Sequence, residues 1–413
     1  MKIRSITYFL NPGWPLDTDA LRGAGDFIKA ARPAFENAGY DVQTTRIATS
    51  PFVEIVGSSR LEDILQFVHD FEKVISSFEY DYISIGPALP DDLQSYAVIT
   101  EVIKAFESVF LAGMMTTARG EVSLSAVRAC AQVIHRAGTL SSDGFANLRF
   151  AALANVPPGA PFFPAAYHTI QTGEGGPRFA LAMEAADVVV NAVRNASSLR
   201  EVRKEIVAEI ENHARILSDI GMTLQIKYGV HYSGIDFTPA PYPLSDLSFG
   251  SAIEGLGVPA VGLHGTLAAA AFLVEALDRA RFPRAGFNGL FFPVLEDAVL
   301  AERAALGTLL VKDLLLYSAV CGTGLDTVPL PGDVSVDDLY AILLDVAMLS
   351  QRLSKPLTAR LMPIPGKVAG DSTDFNFDYF ANSRVLGVQT APIDGLLAGD
   401  ESIQLESRRP RKG

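Results

Sequence analysis

The sequence predicts an α/β protein built on a mainly parallel sheet. Short strand patterns alternate with amphipathic helices through roughly the first 150 residues, and the alternation returns from about residue 223. No Ser/Gly-rich linker or block of like charge separates these two stretches. Because separate domains are usually joined by such linkers, the sequence favours a single unit.

The first half contains five strand patterns separated by four helical ones. Strands are predicted at 3–9, 41–47, 82–85, 109–114 and 148–153, and helices between them at 17–38, 60–76, 94–108 and 125–136. A strand–helix–strand crossover is almost always right-handed and joins parallel strands. The first half therefore predicts five mainly parallel strands.

The chain leaves this pattern at a Pro-rich segment, residues 156–164, which can continue neither a helix nor a central strand. Helices are predicted at 178–194 and 199–220, and the second opens with a capping box of Ser198 and Glu201. A strand-like stretch at 223–237, helices at 249–256, 266–280, 295–318 and 336–353, and a strand at 357–362 follow. The predicted organisation is a first half at 1–155, a loop-and-helix segment at 156–222, a second half at 223–390 and a tail at 391–413.

Composition and charge exclude several classes of function. The net charge is −13 and no basic stripe accompanies the short basic tail at 408–412, so a nucleic-acid partner is not expected. The longest apolar run, 267–274, is far shorter than the roughly 20 residues of a membrane span. Two cysteines make no disulfide framework, and no apolar signal segment follows Met1. These features predict a cytoplasmic protein without a membrane partner.

Four aspartates lie in the Gly- and Pro-rich loops of the second half: Asp236, Asp326, Asp333 and Asp371. Carboxylate and carbonyl oxygens are the ligands that Mg²⁺ and Ca²⁺ prefer, so convergence of these loops would create a divalent-metal site. The alternative is structural, because an aspartate in such a loop often caps a helix or closes a turn. The sequence leaves both interpretations open.

Four further residues are candidates for catalysis: His168, His264, Lys367 and Cys321. A histidine can transfer protons near neutral pH, and Lys367 could hold an anionic group. Cys321 stands in a Cys-Gly-Thr-Gly turn without a cationic neighbour, so a small buried side chain is the simpler interpretation. Gly265 and Thr266 open a predicted helix whose N–H groups could bind an anion.

Two loops share the pattern apolar-Pro-apolar-Pro-Gly-charged, at 328–333 and 362–367. The prolines fix an extended path and the glycine allows a turn, so each loop would present a charged side chain from a rigid backbone. The alternative is a pair of structural turns where strands end.

Several of these stretches resemble the domain-of-unknown-function family 711. The resemblance is carried by the opening residues 1–7, by 37–46, by Phe-Phe-Pro-Ala-Ala-Tyr at 162–167, by Gly-Ile-Asp at 234–236, by His-Gly-Thr at 264–266, by 321–326 and by 363–371. It implies a ten-stranded α/β barrel made of two five-stranded parallel halves with helices outside, similar to the pyruvate formate-lyase superfamily, and a homodimer. Arg46 and Tyr167 lie within these stretches and are candidates for contacting a substrate.

The resemblance brings no settled activity, so three hypotheses follow. The first is a hydrolase or lyase acting on a small molecule, assisted by Mg²⁺ or Ca²⁺ in the acidic loops. The second is a protein that binds a small anion without turning it over. The third is glycyl-radical chemistry, since Cys321 is followed by Arg-Val-Leu-Gly at 384–387, although Val388 replaces the aromatic residue of that motif.

Overall fold

The computed structural model describes residues 1–169 and 176–407. The glycines and glutamate at 173–175 and the basic tail at 408–412 lie outside the described residues. Nine strands form the main sheet, and we number them in chain order: β1 Lys2–Leu10, β2 Val42–Pro51, β3 Tyr82–Ala88, β4 Val109–Met114, β5 Phe150–Ala154, β6 Arg178–Glu184, β7 His231–Asp236, β8 Gly324–Pro331 and β9 Leu357–Ile364.

The order of the strands across the sheet is β7-β6-β1-β2-β3-β4-β5-β9-β8. The five strands of the first half are parallel, as predicted. The pairs β6–β7 and β8–β9 are also parallel internally, but each joins the central five in the antiparallel direction, through β1 and β5. The prediction of an α/β fold with a large, mainly parallel sheet is therefore confirmed.

Twelve α-helices accompany the sheet in the described residues: α1 Thr18–Glu36, α2 Phe52–Val56, α3 Leu61–Ile75, α4 Gln94–Ala105, α5 Leu124–Gly138, α6 Ala186–Asn195, α7 Leu199–Tyr228, α8 Phe249–Gly255, α9 Thr266–Arg279, α10 Ala298–Ala305, α11 Val311–Tyr317 and α12 Val336–Leu353. Side chains fix several starts, since Ser198 accepts from the Glu201 N–H at α7 and Ser335 forms a capping box at α12. No helix of the described chain has the length and apolarity to cross a membrane.

Two element predictions were wrong in kind. Residues 178–184 form a strand rather than the start of a helix; all but Arg178 are buried, and a short, continuously buried run lacks the alternation that identifies a strand. Residues 324–331 form β8 rather than a loop, although the segment contains two prolines. Proline is tolerated there because β8 is the last strand of the sheet order and needs ladder partners on one side only.

Two boundaries also differ from the prediction. The strand expected at 223–237 begins only at His231, because α7 continues to Tyr228 and ends at Gly229 in the left-handed conformation. The single helix expected at 295–318 is two helices, α10 and α11, separated by Gly307 with a φ of 77°. In both cases a glycine follows the end of a helix, and the apolar pattern alone does not give the position of that end.

The two faces of the sheet have different partners. Tyr8 of β1 packs on Phe27 of α1 with ring centroids 5.3 Å apart, whereas its neighbour Phe9 belongs to a separate buried cluster with Phe163. Successive strand residues point to opposite faces, so one face carries the helices. The other carries the Pro-rich segment, where the carbonyl of Pro161 accepts from Ser5 and Thr7 and that of Ala166 accepts from Ser84. We call this second face the inner face.

The outer edges of β7 and β8 each carry an isolated bridge to the same connecting segment. Arg284 pairs with Ile235 of β7, and Pro293 pairs with Asp326 of β8, both in the parallel direction. Within this segment Gly289 lies directly against Gly322, where a Cβ added to Gly289 would stand 2.1 Å from the Cα of Gly322. Residues 284–293 thus run between the two end strands of the sheet.

Candidate anion-binding site

A cavity of about 600 Å³ lies on the inner face, between the N-terminal parts of β1–β4 and the middle of β9. Its wall contains the guanidinium groups of Arg4, Arg46 and Arg360 and the carboxylate of Glu296. Aromatic side chains complete it, including Tyr82, Phe110, Phe162, Phe163, Phe291 and Phe377. A cavity of this size with an apolar wall and a few convergent polar groups has the character of a small-molecule site.

Two of the arginines are saturated by carboxylates. Arg360 of β9 contacts Asp326 of β8 through two hydrogen bonds of 2.6 and 3.0 Å, and it donates another of 2.6 Å to Glu296. Arg4 of β1 donates to the same Glu296 and lies 3.8 Å from Glu184 at the end of β6. Arg4 and Arg360 together therefore face three carboxylates, all of them buried.

A β-bulge directs Arg4 into this network. Ile3 pairs with Met183 and Ser5 with Ala182, so two steps along β1 correspond to one step along β6 and Arg4 is the extra residue. A bulge of this kind changes where a side chain points. The bulge interrupts the regular alternation of side chains along β1 at Arg4, and the Arg4 side chain reaches Glu296.

The pKa values of the carboxylates follow from their surroundings. Burial raises the pKa of Asp326, and Arg360 offsets this only in part. Burial also raises the pKa of Glu184, against the opposing charge of Arg4 and a 2.5 Å hydrogen bond from Gln43. Glu296 is buried too, but the charges of Arg4 and Arg360 outweigh that burial and lower its pKa, so Glu296 remains ionised at neutral pH.

Arg46 differs from the other two arginines. It lies on β2 between Thr7 of β1 and Tyr82 of β3, on the inner face. Its Nε donates to Thr44 at 2.9 Å, and its guanidinium carbon lies 5.1 Å from the Phe163 ring centroid and 5.9 Å from that of Tyr82. Among residues 1–169 and 176–407, no carboxylate lies within salt-bridge distance of it.

Burial is therefore only partly compensated at Arg46. Removal from water and the nearby charge of Arg4 lower the pKa of Arg46 to about 9, although the guanidinium still carries its proton at neutral pH. Contacts with two aromatic faces stabilise the cation by roughly 1 kcal/mol each. They do not replace a counter-ion, so the terminal nitrogens on the cavity wall are suited to an anion.

The four aspartates predicted to share a metal do not meet. Asp326 is paired with Arg360, and Asp236 is buried with its oxygens accepting from the N–H groups of Thr238, Phe287 and Asn288. Asp333 and Asp371 are exposed. Across the described chain, no group of three or more His, Cys, Asp or Glu side chains is arranged to hold a metal ion. Arginine pairing and backbone hydrogen bonds thus occupy the two buried carboxylates.

We expect Asp236→Asn to lower the free energy of unfolding by about 1–2 kcal/mol, since an amide nitrogen cannot accept the Phe287 N–H. Urea denaturation with and without added MgCl₂ or CaCl₂ measures this. The loss should be equal in both conditions if Asp236 only holds the 287–288 backbone. The metal site would be supported instead if either cation raised the urea midpoint of the wild type and left the midpoint of Asp236→Asn unchanged.

Three further candidate residues, Tyr167, Lys367 and His168, lie outside the cavity wall. The Tyr167 hydroxyl donates to the Val156 carbonyl at 2.8 Å. The Lys367 ammonium donates to the Ser372 carbonyl at 2.8 Å and lies 3.1 Å from the Asp374 carboxylate. Lys367 therefore makes its contacts within the loop that follows β9. His168 is buried, and its backbone N–H donates to Thr49. Of the predicted substrate contacts, Arg46 is the one on the cavity wall.

The helix start at 264–266 and the candidate thiol also lie elsewhere. His264 is exposed, Gly265 precedes α9 with a φ of 106°, and the buried Thr266 hydroxyl accepts from the Gly262 N–H at 3.1 Å. Cys321 is buried in the main core, whereas Gly387 is exposed beside α11 in a different groove. These positions bring neither Thr266 nor Cys321 to the cavity.

The paired Pro-x-Pro-Gly segments are neighbours in the sheet. Met362 pairs with Pro329 and Ile364 with Pro331, and the Gly332 N–H donates to the Lys367 carbonyl at 2.9 Å. A Cβ at Gly332 would stand 2.3 Å from the Ile364 carbonyl oxygen. The two segments therefore end β8 and β9 side by side, as the structural interpretation expects.

The sequence reasoning missed Arg4, Glu184, Glu296 and Arg360. A signal was present for three of them, because Arg4, Glu184 and Arg360 stand in strands whose other residues are largely apolar. A charged residue inside a buried strand must be paired or face a cavity. Glu296 falls at the start of the helix predicted at 295–318, where a charged residue is ordinary, and so carries no comparable signal.

The whole of this site falls within the part of the chain that matches a known family. The family model described as uncharacterised ACR (DUF711) matches residues 1–378. The chain belongs to this family. A UPF0210 protein of Pyrobaculum aerophilum is 33% identical over 374 residues, covering 84% of this chain and 80% of that protein. UPF0210 proteins of Acetivibrio thermocellus and Neisseria meningitidis are 28% and 26% identical, over 86% and 85% of this chain and 81% and 80% of their own lengths.

These relatives are named as uncharacterised proteins, so the DUF711 family brings no specific activity. The recognition made from the sequence motifs is confirmed. The homodimer and the barrel similar to the pyruvate formate-lyase superfamily stay predictions. Function must therefore be argued from the cavity.

Proposed function

We propose that this DUF711 protein binds a small organic anion in the cavity, with Arg46 as the group that holds the negative charge. The single observation that carries the proposal is the buried Arg46 guanidinium, which faces the cavity without a carboxylate partner in the described chain. An unpaired buried charge is costly, and an anionic ligand would supply the missing partner.

The surroundings support a preformed site. The Thr44 hydroxyl accepts from the Arg46 Nε, and the guanidinium carbon lies within cation–π distance of the Phe163 and Tyr82 rings. Lys104 and Arg149 stand at the wall near α4 and β5, where they add positive charge on the approach to Arg46, with Glu107 opposing them. A fixed guanidinium in a cavity of low polarity binds an anion more strongly than one in water.

Arg46→Gln tests the proposal. We expect ligand affinity to fall by about tenfold to a hundredfold, because charge-assisted hydrogen bonds contribute roughly 1.5–3 kcal/mol. The thermal midpoint of the ligand-free protein should stay level or rise, since the substitution removes an unpaired buried charge. Calorimetric titration with a panel of carboxylates and phosphate esters, together with differential scanning calorimetry, measures both quantities.

Arg128→Gln is the matched control. Arg128 also lies over an aromatic ring, and its guanidinium carbon is 4.3 Å from the Tyr340 ring centroid. It forms an ion pair with Asp337 at an N–O distance of 3.0 Å and does not line the cavity. This control should lower stability slightly and leave anion binding unchanged. Equal affinities in wild type and Arg46→Gln across the whole panel would contradict the proposal.

A hydrolase or lyase, the first hypothesis from the sequence, is the alternative function for the same cavity. The sequence suggested an enzyme because four aspartates could share a metal ion, and these four aspartates do not come together. The contacts of Arg46 support binding of an anion without turnover instead. Product analysis after incubation with each bound anion separates the two. Turnover that depends on Arg46 would place the protein among enzymes.

We also infer that the sheet closes. Residues 284–293 are bridged to β7 at one end and to β8 at the other, in the position that a tenth strand would occupy. With this segment counted, β6 to β9 and the connection make a second group of five, which supports the barrel of two halves implied by the family resemblance. It also supports a single unit rather than separable domains.

A further inference from the structure

Resting on the proposed function, we infer that the ligand class is an apolar monocarboxylate, with an aryl or branched alkyl body, rather than a phosphate ester or a dicarboxylate. Three independent properties of the cavity lead to this class: its charge balance, the donors that remain on Arg46 and the nature of the opposite wall. Each restricts the ligand in a different way.

The charge balance admits one negative charge. Arg4 and Arg360 already face Glu184, Glu296 and Asp326, so these two cations have no spare charge for a ligand. The wall and its partners carry five positive groups, Arg4, Arg46, Lys104, Arg149 and Arg360, and four carboxylates, Glu107, Glu184, Glu296 and Asp326, so one positive charge is in excess. A dianion would bring one negative charge more than this excess, which penalises phosphate esters and dicarboxylates.

The free donors of Arg46 match a carboxylate. Its Nε is used by Thr44, which leaves the two terminal nitrogens as a planar fork. The guanidinium carbon also lies within cation–π distance of the Phe163 and Tyr82 rings, which helps to hold the group in place. A planar carboxylate can accept two parallel hydrogen bonds from such a fork at its edge.

Much of the wall around Arg46 is aromatic. Phe162 contacts Phe291 with ring centroids 5.0 Å apart, and Phe110 contacts Phe163 at 5.5 Å. Phe377, from the segment after β9, also lines the cavity, and its ring centroid lies 5.2 Å from that of Phe145. A ligand body that packs against these rings gains affinity from the apolar surface that it removes from water. A very small or fully polar anion would forgo that gain.

Four probes test the class by calorimetric titration of the full chain: 3-phenylpropionate, its neutral amide, phenyl phosphate and acetate. We expect 3-phenylpropionate to bind at least tenfold more tightly than each of the others. Arg46→Gln should abolish the preference for the acid over the amide. Phe377→Ala should weaken 3-phenylpropionate at least threefold and leave acetate unchanged, whereas Leu396→Ala, at an 87% exposed position, should change neither.

The outcomes separate the two proposals. Phenyl phosphate or acetate binding as tightly as 3-phenylpropionate, with all of them lost in Arg46→Gln, overturns the ligand class and leaves anion binding at Arg46 intact. Binding of the amide as tightly as the acid, with no effect of Arg46→Gln on any probe, overturns both. If Phe377→Ala fails to fold, Phe377→Leu is measured in its place. An affinity of Phe377→Leu for 3-phenylpropionate equal to that of the wild type would overturn the role of the aromatic wall.

Discussion

Replacing Arg360 by methionine will lower the free energy of unfolding by about 3–5 kcal/mol at neutral pH. Methionine keeps much of the apolar volume but leaves Asp326 and Glu296 without their shared cation. Arg360 contributes three hydrogen bonds of 2.6–3.0 Å to these carboxylates, and both are buried. The cost comes mainly from Asp326, which loses its cation, and from Glu296, which keeps only Arg4, rather than from the lost contacts themselves.

The loss should depend on pH in a defined direction. Without Arg360, burial will raise the pKa of Asp326 in the folded variant further above its unfolded value, and Glu296, which keeps Arg4, will lose part of the effect that lowers its pKa. A raised folded pKa gives a contribution that is present at low pH and is lost as pH rises through that value. The gap between wild type and Arg360→Met should therefore narrow as pH falls from neutral toward roughly 5, near the ordinary range of carboxylates.

Urea denaturation at several pH values measures the effect. Arg22→Met is the control, because Arg22 forms an exposed pair with Asp19 and its loss should change stability by less than about 0.5 kcal/mol. A variant Arg360→Met as stable as wild type at neutral pH would mean that Asp326 and Glu296 are not charged and desolvated as described.

Replacing Gly289 by alanine will lower the free energy of unfolding by about 3 kcal/mol. The added Cβ would stand 2.1 Å from the Cα and 2.5 Å from the N of Gly322. Both obstacles are backbone atoms, so no side chain can rotate away, and the connection 284–293 must separate from the start of β8. Gly322→Ala meets the Cα of Gly289 at 2.4 Å and should act in the same direction.

Gly23→Ala provides the opposite control. Gly23 is exposed within α1, and nothing lies within 4 Å of its added Cβ. Alanine is the better helix former, so this change should raise stability by about 0.5–1 kcal/mol. Thermal unfolding of the three variants compares the effects. Gly289→Ala melting at the wild-type temperature would contradict the close approach between the two segments.

The elements of the first half could be predicted because their signals are local. A helix such as α1 repeats its apolar residues along its own length, and β4 is a short apolar run between a helix and a turn. The strand β6 could not be recognised in this way, since it is continuously buried and its pairing with β1 and β7 along its two edges lies outside its own sequence.

Within the site, a sequence motif identified Arg46 as a candidate. The sequence did not show that Arg4 and Arg360 are paired with carboxylates and that Arg46 is not. All three are arginines in strands of mostly apolar or small residues. What separates them is which carboxylates lie nearby, and Glu184, Glu296 and Asp326 come from distant positions in the chain. The predicted acidic loops failed to meet for the same reason, because Asp326 pairs across the sheet with Arg360.

The sequence by itself determined the α/β class, the five parallel strands of the first half, the family and one cavity residue. Periodicity, caps and motifs are properties of short stretches, so a single sequence carries them. Only the tertiary structure decided that three carboxylates satisfy Arg4 and Arg360, whereas Arg46 faces the cavity with no carboxylate of the described chain within salt-bridge distance. Charge compensation depends on distances of a few ångströms between distant residues, and those distances exist only once the strands have paired.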